Sequence, residues 1–169
     1  MPENGFIDFL KNTLYMELVK ESDRGSAIVG EAILDADLQS LFTARFPESD
    51  PKLFDEYHAL STFNSKVDVC LAIGLIDAAH ARDLNLVRKI RLAFAHPKAA
   101  GLSFDSPKIA DRVRRMDAHE VMKWMHYGPA FAERKVRERF NWLVTVMDFY
   151  LKRLEGAELQ RHLKTEGSE

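Results

Sequence analysis

The segment LVRKIRLAFAHP, residues 86–97, decides the fold class. On a helix with about 100° per residue, its apolar side chains fall within one arc of about 120°. The basic residues divide between the two flanks of this stripe: Arg88 and Arg91 lie on one flank, and Lys89 and His96 lie on the other. The final proline ends the helix, because the residue before a proline disfavours the α conformation. We therefore predict a central bundle helix with charged edges, whose buried stripe consists of Leu86, Val87, Ile90, Ala93 and Phe94.

Helix starts and stops also dominate the rest of the chain, whereas strand patterns are scarce. Predicted helices begin at about residues 5, 22, 61, 77, 106, 117 and 129, and residues 47–60 form a surface connection. The last helix is predicted to end at about Glu155, with Gly156 as its C-terminal stop. The predicted fold class is thus all-α: a single-domain bundle of about six to seven helices over residues 1–156, with a long C-terminal helix. The polar tail, residues 157–169, is expected to be frayed.

The composition is that of an ordinary globular protein. Of 169 residues, 46% are hydrophobic and 30% are charged, and the formal net charge is -2. A protein that binds nucleic acid on its own normally carries a basic excess, so the overall charge does not favour that class. Cys70 is the only cysteine, which excludes an intramolecular disulfide and a zinc site made of several thiolates. With no signal-peptide pattern and no apolar run of membrane-spanning length, we expect a cytoplasmic protein without a membrane partner.

The sequence motifs of the common enzyme classes are absent. There is no phosphate-binding glycine loop, no dinucleotide fingerprint and no nucleophile elbow. Among the six histidines, only His119 and His126 would share a helix face, and no carboxylate clearly faces both of them. We therefore expect no metal and no cofactor, and the sequence does not predict an enzyme.

One short motif does suggest chemistry. The residues RLAFAH, from Arg91 to His96, resemble the arginine, four residues, histidine signature of the HEPN family of helical proteins, which includes metal-independent ribonucleases. The resemblance implies a composite site at a dimer interface, where histidine acts as acid or base and arginine stabilises the RNA phosphate. On a regular helix these two residues lie about 140° apart, so only unwinding near Pro97 or a second subunit would bring them together. The polar residue that usually follows the arginine is Leu92 here.

A longer resemblance covers about half of the chain. Four segments, at 21–42, 60–77, 81–97 and 102–109, follow one another as in the mannitol operon repressor (MltR-like) family. The resemblance implies an all-helical repressor of mannitol uptake and utilisation genes that lacks an evident DNA-reading module. The characteristic residues of that family map onto Asp23, Arg24, Gly25, Ser61, Phe63, Arg88, Arg91, Phe94, Ala95 and His96.

Charged residues within these segments are the candidates for structure or interaction. They are Asp23, Arg24, Arg88, Arg91 and His96, and we expect a buried ion pair between Asp23 and either Arg88 or Arg91.

Two other basic stretches, at 111–117 and 133–140, lie in no helix-turn-helix pattern, and the second is partly neutralised by its own glutamates. A solvent-exposed helix face is the expectation for both, so direct DNA binding is not expected. If the chain is a repressor, we expect it to act through a protein partner such as another transcription regulator. A homodimer is left open, and RNA is a partner only under the HEPN-like alternative.

Overall fold

The computed structural model describes residues 14–96, 101–116 and 134–166, with side-chain surroundings described up to residue 164. Regular structure in these ranges is helical throughout, with no strand, which confirms the all-α prediction. The helices are α1 (Leu14–Lys20), α2 (Asp23–Arg45), α3 (Phe63–Ala72), α4 (Ala78–Ala95), α5 (Pro107–Arg115) and α6 (Val136–Glu166). A short 3-10 helix, Pro51–Phe54, lies in the predicted surface connection.

Local side-chain hydrogen bonds fix the helix starts where the sequence predicts them. The hydroxyl of Ser22 accepts from the backbone N–H of Gly25, and Asp77 accepts from that of His80. Thr62 forms a capping box at the start of α3. Each cap gives a partner to a backbone N–H that the first turn of a helix leaves unpaired. Ser106 precedes α5 as predicted but does not cap it, because its hydroxyl accepts from the N–H of Ser103 instead.

The predicted end of the last helix is wrong. Helix α6 continues through Gly156 to Glu166, and the segment expected to be frayed is helical as far as it is described. Its Glu158 is buried and pairs with Arg45 at the end of α2 (3.4 Å) and with Arg161 one turn later (2.5 Å). A glycine inside a helix costs about 1 kcal/mol relative to alanine, which contacts of this kind can offset.

Helices α2 and α6 run side by side in the same direction. Ser26 donates to Asn141 near the start of both helices, whereas Arg45 pairs with Glu158 near their ends. Between these contacts, Gly30 allows a close approach, since a Cβ atom added there would lie 3.2 Å from a methyl carbon of Val144. The absence of a side chain therefore sets how closely the two longest helices pack.

Helix α4 lies antiparallel to both. Near its start, His80 stacks on Tyr150 of α6 with ring centroids 3.7 Å apart. At its end, Phe94 contacts Phe104, which in turn contacts Phe140 at the start of α6. The predicted stripe on α4 is confirmed: Leu86, Val87, Ile90 and Phe94 are buried, and Ala93 packs against the same core.

Helix α6 is the centre of the bundle. Nine consecutive residues, 140–148, are buried, so this part of the helix is covered on every face. An ordinary surface helix buries only one stripe, so the middle of α6 is not amphipathic in the usual way. Phe140, Leu143 and Met147 are among its buried apolar residues.

Some predicted features lie outside the described residues. These are the first part of the helix expected from residue 5, the helix over 117–128, and the pair His119 and His126. The prediction that the last helix runs unbroken from about 129 is wrong, because residues 134 and 135 are not helical and α6 begins at Val136. Within the described ranges, no helix combines the length and apolar character that crossing a membrane would require.

Candidate functional site

A polar seam lies where α2, α3 and α4 meet, and we define it as Glu31, Asp35, Lys66, Arg88 and Arg91. Glu31 and Asp35 are four residues apart on α2, which places them on one face of the helix. The ammonium of Lys66 lies 2.7 and 2.8 Å from the two carboxylate oxygens of Asp35. The Nε atom of Arg91 lies 3.6 Å from an oxygen of Glu31. The seam therefore connects three helices through two ion pairs.

Burial governs the electrostatics of this seam. The side chain of Lys66 is only 4% exposed, so its charge depends on Asp35 for compensation. Burial raises the pKa of Glu31, and the positive charges of Arg91 and Arg88 oppose that rise. The contact between Arg91 and Glu31 is an ion pair without a direct hydrogen bond, because the buried Nε has no partner within hydrogen-bonding geometry. Arg88 lies one turn before Arg91 on the same flank of α4, and its positive charge also acts on Glu31.

Asp23 belongs to a different cluster, so the predicted ion pair with Arg88 or Arg91 is wrong. Its carboxylate accepts from the backbone N–H of Phe104 (3.0 Å) and pairs with Arg137 (3.5 Å). The reason is the position along α2: Asp23 precedes Glu31 by eight residues, about 12 Å along the axis, and Glu31 is the residue opposite Arg91.

Arg137 joins this cluster to the end of α1. Its guanidinium donates to the backbone carbonyls of Leu18, Val19 and Glu21 while it pairs with Asp23. A cation at a helix C-terminus satisfies carbonyls that the last turn leaves unpaired. Asp23 and Arg137 thus hold together the ends of α1, α2 and α6, which is a structural role.

The remaining candidates lie at the surface. The side chain of Arg24 is exposed at the start of α2. His96 is exposed and follows the last residue of α4 with extended dihedral angles (φ -62°, ψ 137°). On α4, Arg91 faces Glu31 of α2, whereas the side chain of Lys89 is exposed and its backbone carbonyl accepts from Arg112 of α5 (2.8 Å). The structure does not gather the five predicted residues at one site.

Comparison with known proteins gives no relative. No protein-family model, no curated protein and no solved structure matches this chain. In the described parts of the chain, no three histidine, cysteine, aspartate or glutamate side chains cluster as metal ligands would.

Sequence reasoning missed a buried acidic pair on α2 and α6. Asp37 is 7% exposed, and Asp148 lies close enough that its negative charge acts on Asp37. Lys152 pairs with Asp148 and lies 4.0 Å from Asp37. Burial, followed by the charge of Asp148, raises the pKa of Asp37 to about 7. The position of Asp37 in the apolar stripe of α2, beside Leu34, Leu38 and Leu41, was the signal that could have revealed it.

An open cleft of about 780 Å³ lies where α2 and α6 end. None of the residues predicted from the sequence as site residues lines it. Its walls are mainly apolar, with three ionisable side chains, and are formed by Phe42, Arg45, Phe46, Pro47, Glu48, Ser49, Ile73 and His162.

Proposed function

We propose that this chain is a regulatory protein of the mannitol operon repressor type that acts by binding protein partners. The observation that supports the proposal best is how the four family-like segments contact one another. Glu31 in segment 21–42 pairs with Arg91 in segment 81–97, and Asp35 pairs with Lys66 in segment 60–77. Asp23 accepts from Phe104 in segment 102–109. The polar residues of all four segments thus maintain one scaffold.

Ion pairs and hydrogen bonds between the segments are more typical of a structural scaffold that binds a partner than of an exposed catalytic site. A catalytic arginine has to face the phosphate that it stabilises, whereas Arg91 faces Glu31 within its own chain. Four of the five charged residues of the seam neutralise one another in two pairs, as structural ion pairs do. A chain of this kind influences transcription by the surface it presents to another protein, and it contributes no enzymatic step.

The proposal is tested by deleting the gene in the source organism and measuring transcripts of the mannitol uptake and utilisation genes without mannitol. We expect these transcripts to rise on deletion and to return to the original level on complementation. His96→Ala is the matched variant, and it should complement as well as the wild type because no catalysis is required. Unchanged transcripts in the deletion strain would refute the proposed regulatory role.

The partner-mediated part of the proposal needs its own experiment. A tagged chain is purified from nuclease-treated native lysate, and we expect a DNA-binding transcription regulator to purify with it. The purified chain alone should then not distinguish an operator fragment from a shuffled sequence at physiological salt. Sequence-specific operator binding by the chain alone would contradict this mechanism.

The second candidate is a HEPN-like ribonuclease, and one observation favours it. The backbone leaves the helical conformation at His96, which lies exposed at the end of α4. A second subunit could therefore approach this histidine, as the family's composite site requires. Incubating the protein with structured RNA in the absence of metal tests this candidate: cleavage that is lost in both His96→Ala and Arg91→Ala would establish it over the regulatory proposal.

A further inference from the structure

The structure brings together basic residues from three separate parts of the sequence. Arg139 on α6 donates to the backbone carbonyls of Arg114 (3.3 Å) and Met116 (3.4 Å) at the end of α5. Arg112 on α5 donates to the carbonyl of Lys89 on α4 (2.8 Å). The two basic stretches at 111–117 and 133–140, which are far apart in the sequence, are therefore neighbours in the fold. We call the resulting area the basic surface: Lys89, Lys108, Arg112, Arg114, Arg115, Lys135 and Arg139.

Helix α5 orients this surface toward solvent. Its apolar residues Ile109, Ala110 and Val113 are buried, so its charged residues occupy the opposite side. Helix α5 carries four basic residues and one acidic residue, Asp111. Asp111 is 65% exposed and lies 3.8 Å from the 68% exposed Arg115, a separation and exposure at which the pair contributes little. Most of the positive charge of α5 is therefore not neutralised within this helix.

The basic surface includes exposed residues from three parts of the chain. These are Lys89 on α4, Lys108 and Arg114 on α5, and Lys135 just before α6. The chain as a whole carries a formal net charge of -2, so these residues concentrate positive charge on one part of an otherwise slightly acidic molecule. A local concentration of this kind attracts polyanions even when the total charge does not.

The chemistry of this surface fits phosphate better than an acidic protein. Arginine presents a planar guanidinium that matches phosphate oxygens in a bidentate manner. From Lys108 to Arg115 the helix extends about 10 Å, which is the length of about three base steps along a duplex. Protein interfaces need an apolar centre, but none of the exposed large apolar side chains of the described residues lies on α5, and on α4 only Leu92, three residues after Lys89, is exposed.

We propose that the basic surface binds the phosphodiester backbone of nucleic acid without reading its sequence. This contact requires no groove-reading helix, so it is compatible with the absence of a helix-turn-helix pattern. It goes beyond the proposed regulatory function and does not depend on it, since the basic surface would attract nucleic acid of any sequence whether or not the chain regulates transcription.

The experiment measures fluorescence anisotropy with labelled duplex DNA, duplex RNA and single strands of arbitrary sequence. If three phosphates are contacted, the affinity for duplex DNA should fall about 40-fold between about 50 and about 200 mM salt. Shuffling the DNA sequence should leave the affinity unchanged. The RNA and single-strand arms identify which form of the backbone is preferred. Affinity that does not depend on salt would overturn the proposal.

A matched pair of variants tests the location of the contact. Lys108→Glu with Arg114→Glu reverses two exposed charges on the basic surface, and Lys52→Glu with Arg153→Glu makes the same change in net charge at exposed positions elsewhere. We expect the first pair to weaken binding at least about 10-fold and the second to change it by less than about 3-fold. Equal losses in the two double variants would show that only net charge matters and would overturn the proposal.

Two controls keep the result interpretable. Circular dichroism compares the melting temperatures of all variants with that of the wild type, and Lys108→Gln with Arg114→Gln replaces the reversed-charge pair if that pair does not fold. Labelled polyglutamate of the same length as the DNA tests the alternative of an acidic protein partner. Binding of polyglutamate as tight as that of DNA at equal salt would refute the nucleic-acid assignment.

Discussion

Asp37 gives the sharpest test of the packing between α2 and α6. Its carboxylate is buried, its Oδ2 atom has no hydrogen-bond partner, and the groups that act on its charge are Asp148, Lys152 and Glu155. As carboxylates, neither Asp37 nor Asp148 can donate a hydrogen bond, but a proton on Asp37 would be donated to Asp148. Asp37→Asn places an amide N–H where that proton would be and removes the charge, so it mimics the protonated state.

The magnitude follows from the shift in acidity. The pKa of Asp37 is raised from its ordinary value of 3.8 to about 7. Between these two pH values, Asp37 therefore keeps a proton in the native state that it has lost in the unfolded chain. Stability should therefore fall as the pH rises from about 4 to about 7, since the native state binds more protons over this interval. About three pKa units correspond to at most about 4 kcal/mol. Relaxation of the helices and entry of water reduce such penalties, so we expect the unfolding free energy to fall by about 2 to 4 kcal/mol over this pH interval.

The assay is urea unfolding of the wild type and of Asp37→Asn at pH 5 and pH 8.5. The difference in unfolding free energy between the two proteins should shift in favour of Asp37→Asn by about 2 kcal/mol or more at the higher pH. Comparing the two proteins cancels the titration of groups that they share. If the difference is the same at both pH values, or if Asp37→Asn becomes relatively less stable at pH 8.5, the assignment of a shared proton is wrong.

Three further outcomes are expected from local packing and charge. Gly156→Ala should raise the unfolding free energy by about 0.5 to 1 kcal/mol, since its Cβ would meet open space. Gly30→Leu should lower the unfolding free energy by about 1 to 3 kcal/mol, because the larger side chain overpacks the contact with Val144. Thermal melts measure both changes, and a change of opposite sign in either variant would contradict the packing described. Asp35→Asn should cost more stability than Lys66→Met, because it leaves a buried ammonium uncompensated, and denaturant titrations rank the two. The Cys70 thiol, buried with its pKa raised to about 11, should react with a thiol reagent only after denaturation, and rapid labelling of the native protein would contradict its burial.

Local signals predicted the helices well where a cap and an apolar stripe agree. Ser22, Thr62 and Asp77 each begin a helix as their residue types suggest. The helix end predicted at Gly156 is wrong because a tertiary contact overrides the local signal. Glycine often ends a helix, but a buried glutamate two residues later and its partner Arg45 maintain the helix beyond it. That tertiary contact joins residues 113 positions apart, so no local pattern contains it.

The candidate site was harder to predict, because charge partners depend on helix direction. Arg91 was recognised from the sequence, but its partner Glu31 was not, since the antiparallel packing of α4 on α2 decides which acid lies opposite it. The same uncertainty led to the wrong partner for Asp23. The expectation of a solvent-exposed face for the basic stretch at 133–140 is wrong at Arg137, which pairs with Asp23 and donates to carbonyls at the end of α1. The contact between the two basic stretches through Arg139 and the end of α5 is a property of the folded bundle alone.

Buried polar contacts also explain how a central helix covered on every face keeps one register. Apolar side chains alone would tolerate a shift of α6 along α2, because such packing is not directional. Ser26 with Asn141, Asp37 with Asp148 and Arg45 with Glu158 mark three levels along the same pair of parallel helices. A shift by one turn would leave Ser26 and Asn141 buried without a partner, at about 1 to 3 kcal/mol for each neutral group, and would separate the buried Glu158 from the exposed Arg45. The fixed register in turn determines where α5 meets α4 and α6, so the position of the basic surface depends on polar contacts in the core.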